Sequence, residues 1–258
     1  MSYIRHMIAT MAIELENLPK PTNFSPLYLQ IKGLILDALE AAQWKPGEAI
    51  PSELELAAKY QVSQGTVRKA IDELAADNVL VRRQGKGTFV ATHHEDQAKY
   101  RFLRLAADDG EDTVASSRTL ICEVMTAPAN ISKQLNLVHN AKVIHIRRLL
   151  SFSEKPIVLE DIWLPGDVFA GLTMDVVSSW GGQMYALFES EFGVHMLRAS
   201  EKLKAIQANG EASKLLQVEL GYPLLSVDRI SFTFADKPVE VRQAQYITLE
   251  YHYKNELS

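Results

Sequence analysis

The chain has 258 residues, 47% of them hydrophobic, which is enough for two domains with separate cores. A formal net charge of −5 excludes a protein that binds polyanions with its whole surface, though not one with a local basic face. The single cysteine, Cys122, excludes an internal disulfide and fits a reducing cytoplasm, and no apolar run approaches the roughly 20 residues of a membrane span.

Residues 1–22 read as a mobile arm, without the long apolar region and small-residue cleavage site of a signal peptide. The first helix is expected from Ser25, a good cap, and Pro26, which suits the first helical position. Leu27, Ile31, Leu34, Ile35 and Leu39 then recur at helical spacing to about Ala42. A turn at residues 44–48 leads to a second helix after Pro51. Ser52 and Glu55 have the spacing of a capping box there, and Leu54, Ala57 and Ala58 read as its buried side. Gln61, Val62 and Ser63 interrupt the pattern. Ser63 caps a third helix whose core stripe is Val67, Ala70, Ile71 and Leu74.

Two helices joined by a three-residue break, with polar and basic groups opening the second, make a helix-turn-helix. Short β-prone runs at 79–81 and 88–90 flank Arg82, Arg83, Gln84, Gly85, Lys86 and Gly87, the basic hairpin tip of a wing. Residues 59–90 hold Lys59, Arg68, Lys69, Arg82, Arg83 and Lys86 against Asp72, Glu73 and Asp77, so this stretch is positive inside an acidic chain. The organisation is a winged helix-turn-helix domain at 23–91, a polar linker at 92–98 and a second domain at 99–258. His93 and His94 read as solvated linker residues rather than metal ligands. No metal or cofactor is expected.

In the second domain, strand-like runs fall at 120–124, 143–150, 156–164, 197–206, 224–234 and 239–249, with a hairpin turn at 153–155. Helical stretches fall at 131–137, 184–192 and 211–218. This alternation predicts an α+β domain on an antiparallel sheet. Arg148, Glu160, Glu240 and Arg242 each interrupt an apolar strand-like run. Buried charges need partners, so these four either converge on a polar ligand or pair with one another. His145 and His195 read as structural residues on strands. The chain shows no nucleophile–base pair, metal spacing or phosphate loop, so regulation is preferred to catalysis.

The run PLYLQIKGLILDALEAAQWKPGEAIPSELELAAKYQVSQGTVRKAIDELAADNVLVRRQGKGTFV closely resembles the GntR family of regulators, from about Pro26 to Val90. IRRLLS at Ile146, KPIVLEDIWLP at Lys155, MYALFE at Met184 and DKPVEVRQAQY at Asp236 resemble the UTRA effector domain of the HutC subfamily. The resemblance implies a chorismate-lyase-like fold, a homodimer on a pseudopalindromic operator, and a small polar effector that changes the affinity for double-stranded DNA. An enzyme of the chorismate-lyase-like fold tethered to DNA is the alternative it leaves open. The implied DNA-binding residues are Ser52, Ser63, Gln64, Gly65, Thr66, Arg68 and Lys69, with Arg83, Gln84, Gly85, Lys86 and Gly87 of the wing. The ordinary alternative for Arg68 is a surface pair with Asp72, four residues on. The family usually has Arg where Gln64 stands, which points to a shifted operator preference.

Implied effector contacts are Phe102, Arg148, Glu160, Gln183, Tyr185, Glu240, Arg242 and Tyr246. In this subfamily, sugar-phosphate sensors tend to carry Ser where Gln183 stands and a further Arg where Leu150 stands. A phosphate would therefore lose partners here, and a carboxylate-bearing metabolite is expected instead.

Overall fold

The structure, a computed structural model, describes residues 25–92, 104–110, 116–152, 154–180 and 183–255. His93, His94 and Phe102 lie outside the described residues. The DNA-binding head begins with helix α1, Leu27–Glu40. It starts one residue later than the pattern suggests: Pro26, with ψ 141°, occupies the cap position, and no side chain caps the helix. It also stops short of Ala42, which turns to φ 53°.

Helix α2, Glu53–Tyr60, has the expected reciprocal box: Glu55 N–H donates to Ser52 Oγ (3.3 Å) and Ser52 N–H to Glu55 Oε2 (2.8 Å). Its buried residues are Leu56 and Ala57, whereas Leu54 is 66% exposed and Ala58 is also exposed. The expectation for Leu54 and Ala58 is thus corrected. The cap at Ser52 fixes the phase, and a rotation of about 200° over two residues carries Leu54 to the side away from Leu56. After Gln61, in the left-handed region, Ser63 caps helix α3, Gln64–Ala76. Its stripe of Val67, Ala70, Ile71 and Leu74 is fully buried against Ile31, Ile35 and Leu56. Strands β1 (Leu80–Arg83) and β2 (Gly87–Val90) pair antiparallel as the wing. Gly85 and Gly87 take φ values of 70° and 113°, which side chains disfavour.

The second domain runs β3 (Leu105–Ala107), β4 (Ser116–Thr126), α4 (Ala129–Gln134), β5 (Lys142–Phe152), β6 (Lys155–Pro165), α5 (Met174–Ser179), α6 (Met184–Phe192), β7 (Arg198–Gln207), α7 (Gly210–Leu216), β8 (Pro223–Phe232), β9 (Pro238–Tyr246) and β10 (Tyr251–Tyr253). Six strands form one antiparallel sheet in the order β4-β5-β6-β9-β8-β7, and β3 pairs separately with β10. One face packs Ile144, Ile146, Ile162 and Leu164 against Phe169, Leu172, Val177, Leu187 and Phe188, beneath α5 and α6. On the other face, Val143 and Val241 pack against Ile131 and Leu135, at and just beyond the end of α4.

Two expectations are corrected where the domains meet. The strand expected at 224–234 ends at Phe232, and a 3-10 turn, Phe234–Asp236, tips the β8–β9 hairpin. Phe234 is buried in the core of the DNA-binding head. His195 lies not on a strand but in the connection between α6 and β7, its ring 5.4 Å from that of Phe234.

Candidate functional site

The helix-turn-helix gathers its polar groups around Glu53, the first residue of α2. Glu53 accepts hydrogen bonds from Arg68 Nε (3.0 Å), Gln64 Nε2 (3.1 Å) and Arg82 Nη1 (3.0 Å), and Arg68 Nη2 lies 2.9 Å away. Arg82 also donates to Asp72 at 2.7 Å. The i,i+4 pair of Arg68 with Asp72 therefore does not form: the wing arginine takes Asp72, and Glu53 takes Arg68. The hydrogen bond from Arg68 does most to hold the Glu53 carboxyl below its ordinary pKa; burial opposes it, and the hydrogen bonds from Arg82 and Gln64 add to it. These side chains remain open to solvent, Arg68 at 57% and Arg82 at 42%.

Ser63 Oγ accepts from Thr66 N–H at 3.2 Å and lies 2.9 Å from Thr66 Oγ1, so both residues serve the helix cap. Lys69 sits 3.9 Å over the Tyr28 ring and Arg83 4.5 Å over Phe89. Gln84 and Lys86 are exposed at the wing tip. Gln64 and Arg68 at the start of α3 and Arg82 of the wing thus meet on Glu53, and sequence reasoning had not singled out Glu53 and Arg82 for that role.

In the second domain the sheet brings four of the expected charges together. Register places Arg148 opposite Glu160, Arg242 between Ile162 and Arg229, and Glu240 opposite Ser231. Arg148 Nε donates to Glu160 Oε1 at 2.7 Å, and Arg148 Nη2 donates to the same oxygen. Arg242 bridges the two acids, with Nη1 to Glu160 Oε2 and Nη2 to Glu240 Oε2, both at 2.9 Å. Tyr185 O–H donates to Glu240 Oε1 at 2.7 Å and Ser231 O–H at 3.1 Å. Burial alone would raise the Glu160 pKa; the fields of Arg148 and Arg242 reverse this and hold the carboxylate ionised. Arg242 is likewise held charged: burial opposes it, and Glu160 and Glu240 prevail.

The remaining expected contacts are placed less centrally. Tyr246 is buried, its hydroxyl pKa raised by that burial. Gln183 is the exposed cap of α6, two residues before Tyr185. Sequence reasoning missed Arg229, Ser231 and Glu201. Arg229 is 2% exposed and bonds Glu201 Oε1 through Nε at 2.6 Å, while Tyr253 O–H donates to the other Glu201 oxygen. The alternation in β8, where Arg229 and Ser231 share one face, was the available signal. Among the described residues no cluster of histidine, cysteine, aspartate or glutamate could hold a metal, and no helix is long and apolar enough to cross a membrane.

A winged helix-turn-helix with an open basic face, joined to a domain with a buried polar network, defines a DNA-binding transcriptional regulator with an effector domain. The chain belongs to the GntR family of bacterial regulatory proteins, matched over residues 27–90, and carries a UTRA domain, matched over residues 111–252. It is 30% identical to the "Probable fructoselysine utilization operon transcriptional repressor" of Escherichia coli K12, over 84% of this chain and 88% of that one. It is 28% identical to the histidine utilization repressor of Pseudomonas putida, over 80% and 82%. The ligand-binding domain of a GntR-family regulator from Bordetella bronchiseptica is 51% identical, with TM-score 0.59, covering 62% of this chain and 99% of that structure. The regulator YydK from Bacillus subtilis shares the fold at 18% identity, with TM-score 0.55, over 91% of this chain and 100% of that one.

Proposed function

We propose that the chain is a cytoplasmic transcriptional repressor that binds a pseudopalindromic operator as a homodimer and changes its affinity when a small polar metabolite enters the effector domain. The observation that carries this reading is the β8–β9 hairpin. Its strands supply Arg229, Ser231, Glu240 and Arg242 to the buried network, and its tip puts Phe234 into the core of the DNA-binding head. A ligand that rearranges the network acts on the same hairpin that seats the head, so the two sites are linked by one packed element.

DNA contacts fall to Arg68, Gln64, Ser63, Thr66 and Lys69 at the opening of α3, with Gly65 and Ser52 allowing close approach, and to Arg83, Gln84, Gly85, Lys86 and Gly87 in the wing. Effector contacts fall to Arg148, Glu160, Tyr185, Glu240, Arg242 and Tyr246, with Gln183 at the mouth. The ligand carries a carboxylate rather than a phosphate, since Leu150 and Gln183 supply no further cation. Repressors similar to this chain are named for the utilization of fructoselysine and of histidine, in keeping with a metabolite-controlled repressor. Family membership and the absence of a nucleophile–base arrangement in the sequence favour this over an enzyme.

Size measurement in dilute solution with operator titration tests the reading. A dimer that covers two half-sites, and leaves them when a metabolite binds, is the expected result. A monomer bound one-to-one on an asymmetric site refutes it.

A further inference from the structure

Arg148, Glu160, Arg242 and Glu240 form one hydrogen-bonded patch of sheet, and Arg229, the cross-strand neighbour of Arg242, pairs with Glu201 beside it, so the formal charge of the six sums to zero. The side chains of Arg148 and Arg242 are 9% and 11% exposed, and those of Glu160 and Glu240 are 2% and 0%. Both oxygens of Glu160 and both of Glu240 are already engaged. A ligand that reaches these groups must therefore open an existing ion pair.

The chemistry of that opening selects the ligand. A bare anion that takes Arg148 from Glu160 strands a carboxylate in a buried site and adds its own negative charge to a neutral patch. A neutral polyol exchanges charge-assisted hydrogen bonds for ordinary ones about half as strong. A carboxylate and an ammonium on one molecule exchange like for like: the carboxylate takes Arg148 and the ammonium takes Glu160. From this geometry we infer that the effector is a zwitterion of net charge near zero, an amino acid or an amino-acid conjugate. The inference rests on the placement of the effector site proposed above and narrows its ligand from acids in general to acids that carry their own cation.

The test uses the full chain and three sets of compounds of matched size: free and sugar-conjugated α-amino acids, hydroxy and sugar acids without an amine, and sugar phosphates. Thermal shift followed by calorimetry should find ligands of the wild type in the first set, with acids and phosphates at least about tenfold weaker. Glu160→Gln keeps the shape and one hydrogen-bonding oxygen and makes the patch net positive. It should weaken zwitterion binding about tenfold or more and bring amine-free acids to equal or better affinity. A wild type that binds no zwitterion overturns the inference, whatever else it binds and whether or not the variant folds. Arg148→Gln, with its folding checked in the same thermal scan, separates this from failure of the site itself: loss of binding by the folded variant keeps the site, while unchanged binding of any ligand moves the effector elsewhere and overturns both.

Discussion

The two domains use the same pairing of arginine with carboxylate in opposite surroundings. In the head, Glu53 holds Arg68 and Arg82 at the surface, where water can replace either partner. In the effector domain, Arg148, Glu160, Arg242 and Glu240 make one continuous chain of contacts with almost no access to water. Exposed pairs contribute about 0–1 kcal/mol, so the head can release its arginines to a DNA phosphate or base at little cost. Losing one member of a buried pair costs about 3–5 kcal/mol, so the effector network yields only to a molecule that replaces what it breaks. In the proposed function, accessibility rather than residue type is what makes one set a generic anion reader and the other a selective receptor.

The sharpest way to break this comparison is Arg242→Ala. It leaves Glu160 and Glu240 buried together without the cation that bridges them, and should lower stability by about 3–5 kcal/mol by denaturant unfolding, with loss of ligand response. Replacing Arg148 and Glu160 together by Met and Leu should be near neutral in stability while still abolishing the response. A large loss in the double variant would mean that the pair is kept for stability instead.

Arg68→Ala probes the other side. The stability change should stay below about 1 kcal/mol, because the Arg68–Glu53 pair is exposed and Arg68 lies off the buried stripe. Operator binding should weaken by about 1–3 kcal/mol. Equal losses in folding and binding would show that Arg68 is a structural residue and that the contrast between the domains is false.

Between these extremes lies the junction. Burial pushes the His195 ring down to about 4, beside Phe234 and with Glu189 Oε2 3.7 Å from its Nδ1. The folded chain thus resists protonation that the unfolded chain accepts near pH 6.5, so stability is full above that value and falls as pH drops towards 4. The loss should reach about 2 kcal/mol at pH 5 relative to pH 7.5. His195→Gln should flatten this part of the pH–stability curve. An unchanged slope in the variant would assign the titration to another group.

Much of this was legible in the sequence, for physical reasons that also mark where legibility ended. Caps and helical period are local, so the box at Ser52 and the stripe from Val67 to Leu74 were readable directly. Leu54 was misjudged because hydrophobicity names a buried candidate, while only the phase of the helix decides which way it faces. In the sheet, period two separates Arg147 from Arg148, but cross-strand register decides their partners. Register pairs Arg147 with Asp161 and Arg148 with Glu160 on opposite faces. Arg229 joins the network only because β8 lies between β7 and β9, a neighbourhood no local pattern encodes. β3 and β10 span three residues each and α5 six, too short for a period to show.

The smallest effect concerns Lys86, and it bears on assembly as well as on charge. Lys86 stands exposed at the wing tip between two glycines in the positive-φ region, and it makes no ion pair among the described residues. Its ammonium is therefore fully available to a phosphate, and its removal disturbs no packing. Lys86→Ala should leave unfolding unchanged and weaken binding about equally on operator and non-operator DNA, because phosphates carry no sequence. Each phosphate contact contributes about 0.9 to the slope of log affinity against log salt. A symmetric dimer places two wings on one operator, so the variant should lower the slope by about 1.8, where a single head would lower it by about 0.9. Titrations from low to moderate salt, on wild type and variant in parallel, read the number of wings directly. A slope that does not change removes Lys86 from the interface, and a change of one unit instead of two removes the second wing.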